Sequence, residues 1–145
     1  MVAYADTSFL LSLYGQDTGS SSAQQLATEL GCPFAFTPLH RLEARNALRL
    51  AIFRSDITAK QAKAVMVTME DDEKTGVLAN SPVGWAEVFD RAEEFSASHT
   101  ANLGTRTMDI LHVAAASVLN LQDFLTFDKR EAELAKKVGM TVRLG

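Results

Sequence analysis

The chain has 145 residues, which is the usual size of one domain and too short for two ordinary ones. Hydrophobic residues make up 47% and charged residues 22% of it, a composition that is typical of globular proteins and excludes a disordered chain. The single cysteine, Cys32, excludes an internal disulfide and a cysteine-rich zinc site, and the net charge of −4 argues against a simple basic clamp for nucleic acid.

Short apolar strands alternate with helices along the chain. The predicted strands are residues 2–5, 34–37, 77–79, 124–127 and 140–144. The predicted helices are residues 7–14, 18–30, 38–54, 58–69, 85–95, 107–119 and 128–138. Gly15 and Gly31 end helices, and Pro38 suits the first turn of one. The alternation predicts a single domain over residues 1–145. Its fold class is α/β, a three-layer α/β/α sandwich with a short-stranded, mainly parallel sheet.

No segment suggests a membrane protein or an exported one. No apolar run approaches the roughly 20 residues that a membrane-spanning helix needs. The apolar residues 8–14 follow Asp6 and have no basic region before them, unlike a secretory signal. We therefore expect a soluble protein of the reducing cytoplasm, with no membrane partner.

Two aspartates lie directly after predicted strands. Asp6 follows the first strand and Asp128 follows the fourth, and each also opens a helix, where an aspartate is a good N-cap. In parallel sheets, functional groups gather at the carboxyl ends of the strands, near the point where the strand order reverses. Both residues are therefore candidates for a site at that edge of the sheet.

Glu43 lies in the first half of the third long helix, on an arc that is largely apolar. Arg41 and Arg45 point more than 100° away from it on the helical wheel. Because an unpaired buried charge is costly, Glu43 needs a partner from another element. A structural ion pair with an arginine such as Arg106 is one solution, and a functional role is the interpretation that we prefer.

The helix predicted over residues 107–119 is apolar almost all round, which is typical of a buried central helix. Asp109 and His112 are its polar exceptions, and they lie on one face. The position of Asp109 in the first turn also suits the helix dipole. His112 could orient a carboxylate, or it could satisfy a backbone carbonyl.

The crossovers of a parallel sheet can bring four of these acids to one edge: Asp6, Glu43, Asp109 and Asp128. Crowded carboxylates repel one another, and a divalent cation removes that repulsion. An all-oxygen site favours Mg²⁺ or Mn²⁺ over zinc. Such ions suit phosphoryl chemistry, because they activate water and neutralise the phosphate.

The stretches that carry these acids share a recognisable pattern. They are residues 4–8, 42–44, 105–116, 124–129 and 138–140. The most specific part is an Arg-x-x-Asp-x-Leu-His pattern from Arg106 to His112, followed by Leu-Thr-Phe-Asp ending at Asp128. In these residues the chain resembles the PIN domain family, and most closely the toxin ribonucleases of the VapBC type. The resemblance covers the whole chain in the family's order.

The resemblance implies a metal-dependent endoribonuclease that cuts single-stranded RNA and leaves a 5′-phosphate and a 3′-hydroxyl. The four family acids fall on Asp6, Glu43, Asp109 and Asp128. The resemblance makes Asp6 and Asp109 the surest ligands of Mg²⁺ or Mn²⁺. The other two acids would complete the pocket directly or through water.

Further residues and partners are implied in the same way. Thr7, Ser8 and Thr126 fall where relatives carry hydroxylated side chains near the acids, and Arg106 falls where toxin relatives carry a base. Family members usually form homodimers. The toxins are inhibited by a small antitoxin whose tail enters the acidic cleft, often with an arginine, which a cluster of carboxylates attracts.

Four basic residues are candidates for RNA binding in spite of the net negative charge. Arg41, Arg45, Arg106 and Lys129 are predicted to border the cleft and hold phosphates. A solvated helix face is the more ordinary interpretation of the first two. The acidic run at residues 70–73 is predicted to end its helix on the exposed surface.

Two other classes of function remain open from the sequence. An aspartate after the first strand also occurs in aspartyl-phosphate phosphatases and receiver domains. The phosphatase pattern, however, requires a second aspartate where Ser8 stands, and receivers require adjacent acids at the first strand. A PIN-like scaffold that binds RNA or a partner without cutting is the other alternative, since a fold alone does not establish catalysis.

Overall fold

The chain alternates short strands with helices, as the sequence predicts, in a computed structural model that describes residues 1–144. The strands are β1 (Tyr4–Ala5), β2 (Phe34–Phe36), β3 (Leu78–Asn80), β4 (Asp123–Thr126) and β5 (Thr141–Leu144). The helices are α1 (Thr7–Tyr14), α2 (Ser20–Leu30), α3 (Pro38–Phe53), α4 (Ala59–Thr75), α5 (Trp85–Phe95), α6 (Ala101–Leu103), α7 (Thr107–Val118) and α8 (Lys129–Lys137). A π-helical turn, Ser96–Thr100, joins α5 to α6. Within residues 1–144, none of the helices has the length and apolar character that crossing a membrane requires.

The strands form a parallel sheet in the order β3-β2-β1-β4-β5. Two groups, β1-β4-β5 and β2-β3, are joined by a parallel bridge between Ala3 and Phe34. The strand order reverses at β1. The chain passes from β1 to β2 on one side of it, and β4 lies on the other side. In the β1–β4 pair Ala5 lies opposite Leu125, so the carboxyl ends of these two strands meet. That point is where a parallel sheet opens a crevice for a ligand.

The pleat of the sheet sends alternate side chains into two separate cores. Tyr4, Ala35 and Phe124 face α5, α7 and α8. On the opposite face, Ala5 and Leu125 belong to a second core with residues of α1, α2, α3 and α4. Residues 109–116 of α7 are all buried, as the apolar pattern predicts for a central helix. The three-layer α/β/α architecture is therefore confirmed.

The acidic run at residues 70–73 is the clearest departure from the sequence prediction. It does not end a helix, because α4 continues through it to Thr75 and stops at Gly76 in a left-handed conformation. Asp72 and Glu73 are also half-buried rather than fully exposed. The run is tolerated inside the helix because side chains from other elements pair with it, including Arg41 of α3 on Glu73.

A second departure concerns residues 96–103, where the sequence analysis predicted no helix or strand. They continue α5 through the π-helical turn into α6, and Gly104 ends this segment with a φ of 67°.

Candidate active site

Asp6 caps a helix and also lines the candidate site, so the two interpretations of this residue are compatible. It follows β1, and its Oδ1 accepts a hydrogen bond from the backbone N–H of Phe9 at 2.8 Å, which caps α1. Its Oδ2 accepts one from the hydroxyl of Thr126 at 2.7 Å. The Asp6 backbone N–H donates to Leu125 at 3.1 Å, which ties the carboxyl ends of β1 and β4 together.

Thr126 connects the two aspartates that follow strands. It is fully buried at the end of β4. While its hydroxyl donates to Asp6, the same oxygen accepts a hydrogen bond from the backbone N–H of Asp128 at 2.9 Å. Asp128 caps α8 through its Oδ1, which accepts from the backbone N–H of Glu131 at 2.9 Å. Thr126 thus contacts both aspartates, and its supporting role stays a prediction.

Arg106 lies among the acids and bridges two of them. Its Nε donates to Asp109 Oδ2 at 3.2 Å, and its Nη2 donates to Asp128 Oδ2, also at 3.2 Å. The side chain of Arg106 is 70% exposed, whereas that of Asp109 is 8% exposed. Hydrogen bonding to Asp109 raises the pKa of Arg106, and the charges of Asp109 and Asp128 act in the same direction. Arg106 therefore pairs with Asp109 and Asp128, and the partner of Glu43 is a different residue.

Glu43 is held by a buried chain of hydrogen bonds. His112 Nε2 lies 2.5 Å from Glu43 Oε1, and the hydroxyl of Thr7 donates to the same oxygen at 2.8 Å. Behind it, Tyr4 Oη lies 2.7 Å from His112 Nδ1. Burial by itself raises the pKa of Glu43, but the hydrogen bonds from His112 and Thr7 outweigh it and lower that pKa. Of the two roles open to His112, the structure shows the orientation of a carboxylate.

His40 supports the strand end beneath Asp6. Its Nε2 lies 2.8 Å from the carbonyl oxygen of Ala5, and its Nδ1 accepts from the backbone N–H of Thr37 at 3.1 Å. Burial first, and then the charge of His112, lower the pKa of His40 from 6.5 to about 3. The ring is therefore neutral at physiological pH, and its Nε2–H donates to Ala5.

These elements surround an open cavity of about 290 Å³, which we call the acidic cavity. Its lining consists of Asp6, Thr7, Ser8, Glu43, Arg106, Met108, Asp109, His112 and Glu131. Three of the four predicted acids thus converge on it. The fourth, Asp128, lies outside the lining and is connected to it through Arg106 and Thr126.

Glu131 is a site residue that the sequence analysis missed. Its residue surface is 2% exposed, and its Oε2 lies 3.5 Å from the hydroxyl of Thr126. Burial first, then the charge of Asp6 and a hydrogen bond with it, raise the pKa of Glu131 to about 12. An acid in the first turn of a helix is ordinary. The available signal was its spacing from Leu134 and Ala135, which places it on the buried face of α8.

Two of the predicted RNA-binding residues lie on a different surface. Arg41 and Arg45 of α3 pair with Glu73 and Glu70 of α4, at 2.6 and 3.5 Å, and line a separate pocket between these helices. Lys129 is exposed at the start of α8, next to Asp128 in the chain. Of the four predicted bases, the structure places Arg106 in the acidic cavity.

The donor set fits a hard divalent cation that keeps part of its water. Within residues 1–144, no three histidine, cysteine, aspartate or glutamate side chains are arranged to hold one metal ion together. Asp6 and Asp109 nevertheless present carboxylate oxygens, which Mg²⁺ prefers, and Mg²⁺ typically binds proteins through only one or two carboxylates and several waters. In the described chain, Oε1 of Glu131 is buried without a hydrogen-bond partner, so the cavity has an oxygen available for such a shell.

Two solved structures share this architecture over almost the whole chain. A chain in the crystal structure of VapBC2 from Rickettsia felis, bound to a DNA fragment from their promoter, matches with a TM-score of 0.66 and 12% identity, covering 100% of this chain and 99% of that chain. A chain of FitAcB from Neisseria gonorrhoeae matches with a TM-score of 0.65 and 15% identity, covering 98% and 96%. The fold is of the VapBC2 and FitAcB type.

Sequence comparison adds no assignment to this likeness. No family model matches the chain, and no curated protein matches it. At identities of 12% and 15% the structural match establishes the fold, and the chemistry has to be argued from the acidic cavity.

Proposed function

We propose that the protein is an endoribonuclease that depends on Mg²⁺ or Mn²⁺ and hydrolyses phosphodiester bonds of single-stranded RNA. The observation that carries the proposal is the convergence of the carboxylates of Asp6, Glu43 and Asp109 on one open cavity, which the carboxyl group of Glu131 also lines. The four groups come from four separate elements and lie where the sheet order reverses. Gathering like charges in this way costs stability, which favours a functional reason for it.

The acids have distinct parts in this proposal. Asp6 and Asp109 would bind the cation, and Glu43 and Asp128 would contribute directly or through water. When bound, the ion neutralises charge on the phosphate and activates water.

The side chains around the acids position the substrate and the proton acceptor. Both donors on Glu43, from His112 and Thr7, reach Oε1. The second carboxylate oxygen of Glu43 can therefore accept a hydrogen bond from water in the cavity. The side chain of Arg106 lines the cavity and is largely exposed. Its guanidinium can therefore leave a carboxylate and bind a phosphate of the substrate instead. Ser8 is exposed at the rim and offers a hydroxyl.

We also propose that the protein is the toxin of a type II toxin–antitoxin pair, with a small antitoxin as its partner, and that it forms a homodimer. The likeness in fold to chains of VapBC2 and FitAcB supports this assignment. The cavity attracts guanidinium groups, as its own Arg106 illustrates, and an arginine of an inhibitor would be bound in the same way. Leu42 and Phe89 are exposed apolar side chains that line a groove on α3 and α5, and they provide surface for association.

The test is cleavage of a panel of single-stranded and structured RNAs with and without Mg²⁺ or Mn²⁺. We compare the wild type with Asp6→Asn, Asp109→Asn and a control, Asp90→Asn, which removes one exposed carboxylate from α5. The wild type and the control should cut in a metal-dependent manner. The two cavity variants should lose about 100-fold or more of the rate while remaining folded.

Other outcomes identify the alternative functions. Full activity of the purified Asp6→Asn/Asp109→Asn double variant would refute the proposal. RNA affinity without any cleavage in Mn²⁺ would favour a binding module, and trapping of a phosphoryl analogue on Asp6 would favour an aspartate-dependent phosphohydrolase.

A further inference from the structure

A second open cavity lies next to the acidic cavity, and we call it the hydroxyl cavity. Its volume is about 520 Å³, compared with about 290 Å³ for the acidic cavity. Its lining includes Ser8, Ser12, Asp17, Gly19, Ser22 and Phe127. Ser8 lines both cavities, so a ligand that extends past this residue reaches from one cavity into the other.

The carboxylate of Asp17 is held in place by its neighbours but keeps room for a further hydrogen bond. Its Oδ2 accepts from the buried hydroxyl of Ser12 at 2.9 Å, and its Oδ1 accepts from the backbone N–H of Gly19 at 2.8 Å. The hydroxyl of Ser20 lies 3.3 Å from Oδ1. A carboxylate offers about four lone pairs, so Oδ2 can still accept from an N–H donor in the cavity.

The ring of Phe127 is the apolar wall of the hydroxyl cavity. It stacks on Phe9 with the ring centroids 5.1 Å apart, and it also lies against the loop at Gly19. A Cβ atom at position 19 would come within 3.1 Å of the Phe127 ring and 3.3 Å of Ser12 Oγ. Glycine at this position therefore leaves the space in which the ring and the loop meet.

The lining determines which chemistry fits. The volume lies within the range of small-molecule sites. None of the residues that line the hydroxyl cavity is basic, and Asp17 is an acid, so a phosphate is disfavoured there. A neutral ligand with an aromatic face and N–H donors is favoured. A nucleobase has these properties, because proteins recognise the unstacked bases of single-stranded RNA by aromatic contact and by hydrogen bonds to their edges.

We propose that the hydroxyl cavity binds the nucleoside next to the phosphate that lies in the acidic cavity, and that it prefers a base with an exocyclic amino group. The amino group donates to Asp17 Oδ2, as the N4 amino group of cytosine donates to aspartate in other complexes. The base packs against Phe127, and the serine hydroxyls are available to the ribose. This assignment rests on the proposed ribonuclease function and adds a nucleoside site to it.

The experiment is a nuclear magnetic resonance titration of the full chain, without metal, with the neutral nucleosides cytidine and uridine. These two probes differ in an amino group that is replaced by a carbonyl. We expect saturable shifts of the backbone amide signals of residues 17–22, and about 10-fold tighter binding of cytidine than of uridine. Adenosine and inosine form a second pair with the same exchange of groups.

Asp17→Asn tests the role of the carboxylate. Asparagine keeps an oxygen for the backbone N–H of Gly19 but has an NH₂ group in place of the other oxygen. The preference for cytidine should therefore fall by about 10-fold or reverse. Glu29→Gln, which changes an exposed acid at the other end of α2, should keep the wild-type preference.

Ser22→Phe tests the cavity itself without altering the Asp17 loop. Ser22 is exposed on α2, and a phenylalanine there fills the cavity from its rim. It should weaken the binding of both nucleosides at least 10-fold and raise the KM for RNA with little change in kcat. Ser21→Phe is the matched control, since it places the same ring on the neighbouring exposed residue outside the lining.

The outcomes separate this inference from the proposed function. Metal-dependent cleavage of RNA, together with no nucleoside binding or with binding that Ser22→Phe leaves unchanged, would overturn the nucleoside site and leave the ribonuclease in place. Equal binding of cytidine and uridine by the wild type would overturn the preference for an amino group. The expected titrations without any cleavage of RNA would support the nucleoside site and contradict the ribonuclease.

Discussion

Two acidic regions of this molecule contain the same residue types in opposite electrostatic situations. On α4, Glu73 and Glu70 each pair with an arginine of α3, and Asp72 accepts a hydrogen bond from the hydroxyl of Tyr14. At the acidic cavity, the largely exposed guanidinium of Arg106 pairs both with Asp109, which lines the cavity, and with Asp128, which lies outside the lining. A cluster of acids is therefore not by itself a sign of function.

The balance of charge separates the two regions. The arginine–glutamate pairs between α3 and α4 are partly exposed, and such pairs contribute about 0–1 kcal/mol each. In the cavity, burial strengthens the repulsion between the acids, because the surrounding medium screens it less. Neutralising a cavity acid should therefore relieve repulsion in the metal-free protein, whereas neutralising an α4 acid removes an attraction.

Each acidic region is contacted by one tyrosine, Tyr4 beside the cavity and Tyr14 on α4, and removing their hydroxyl groups should have the largest effect on stability. Tyr4→Phe removes the partner of His112 Nδ1 inside the core, and should lower the free energy of unfolding by about 1–3 kcal/mol. Tyr14→Phe removes a half-buried bond to Asp72, which can turn to water, so its cost should be about 1 kcal/mol or less. Urea unfolding of both variants measures the difference in their free energies of unfolding. Equal losses would show that the buried hydrogen bond from Tyr4 to His112 stabilises the protein no more than the half-buried bond from Tyr14 to Asp72 does.

A smaller effect follows from the neutral histidine beneath the cavity. Because the pKa of His40 is lowered from 6.5 to about 3 in the folded state, the unfolded chain takes up a proton that the folded chain does not. The contribution of His40 to stability is complete above pH 6.5 and declines as the pH falls from there towards 3. At pH 5.5 the loss should be about 1 kcal/mol.

Urea unfolding at pH 7.5 and 5.5 tests this effect. Other groups, such as Glu131, also change stability over this interval, so the difference between the two proteins is the quantity that reports on His40. On going from pH 7.5 to pH 5.5, the free energy of unfolding of His40→Gln should fall by about 1 kcal/mol less than that of the wild type, or rise by about 1 kcal/mol more. An identical pH dependence in the two proteins would show that His40 is not the responsible group.

The smallest effect concerns the basic residues predicted to hold RNA. The salt dependence of RNA binding is the slope of the logarithm of the binding constant against the logarithm of the salt concentration. Removing one phosphate contact makes this slope shallower by about one unit. We expect a reduction of about 1–2 for Arg106→Ala/Lys129→Ala. For Arg41→Ala/Arg45→Ala we expect less than about 1, because these arginines must first leave Glu73 and Glu70. RNA binding measured over a series of salt concentrations gives the slope for each double variant. An equal change of slope in the two variants would indicate that all four basic residues contact RNA phosphates.

The sequence predicted the fold and most of the site for identifiable reasons. Alternating element types determine a parallel sheet, and the acids after β1 and β4 reach one edge because parallel strands end together. The position of Asp6 and Asp128 at that edge could therefore be predicted without coordinates, and Asp109 could be identified as a polar exception on an apolar helix.

Side-chain pairs between elements that are distant in the chain could not be predicted from the sequence in the same way. The partner of Glu43 is His112, 69 positions away, and no local pattern distinguishes it from Arg106. The acidic run of α4 looked like a helix end because its arginine partners lie on α3. Glu131 was overlooked because an acid near a helix start already has an ordinary explanation.

The short strand before Asp6 has a consequence for how the protein can be controlled. Tyr4 and Ala5 pair with β4 on one side, Ala3 bonds to the segment of β2 on the other, and His40 holds the Ala5 carbonyl. Separating this strand from its neighbours would expose both cores of the domain, so the floor of the cavity belongs to the part of the molecule that opens most slowly. A regulator acting on such a rigid floor has to block its entrance, since distorting it would require unfolding the domain.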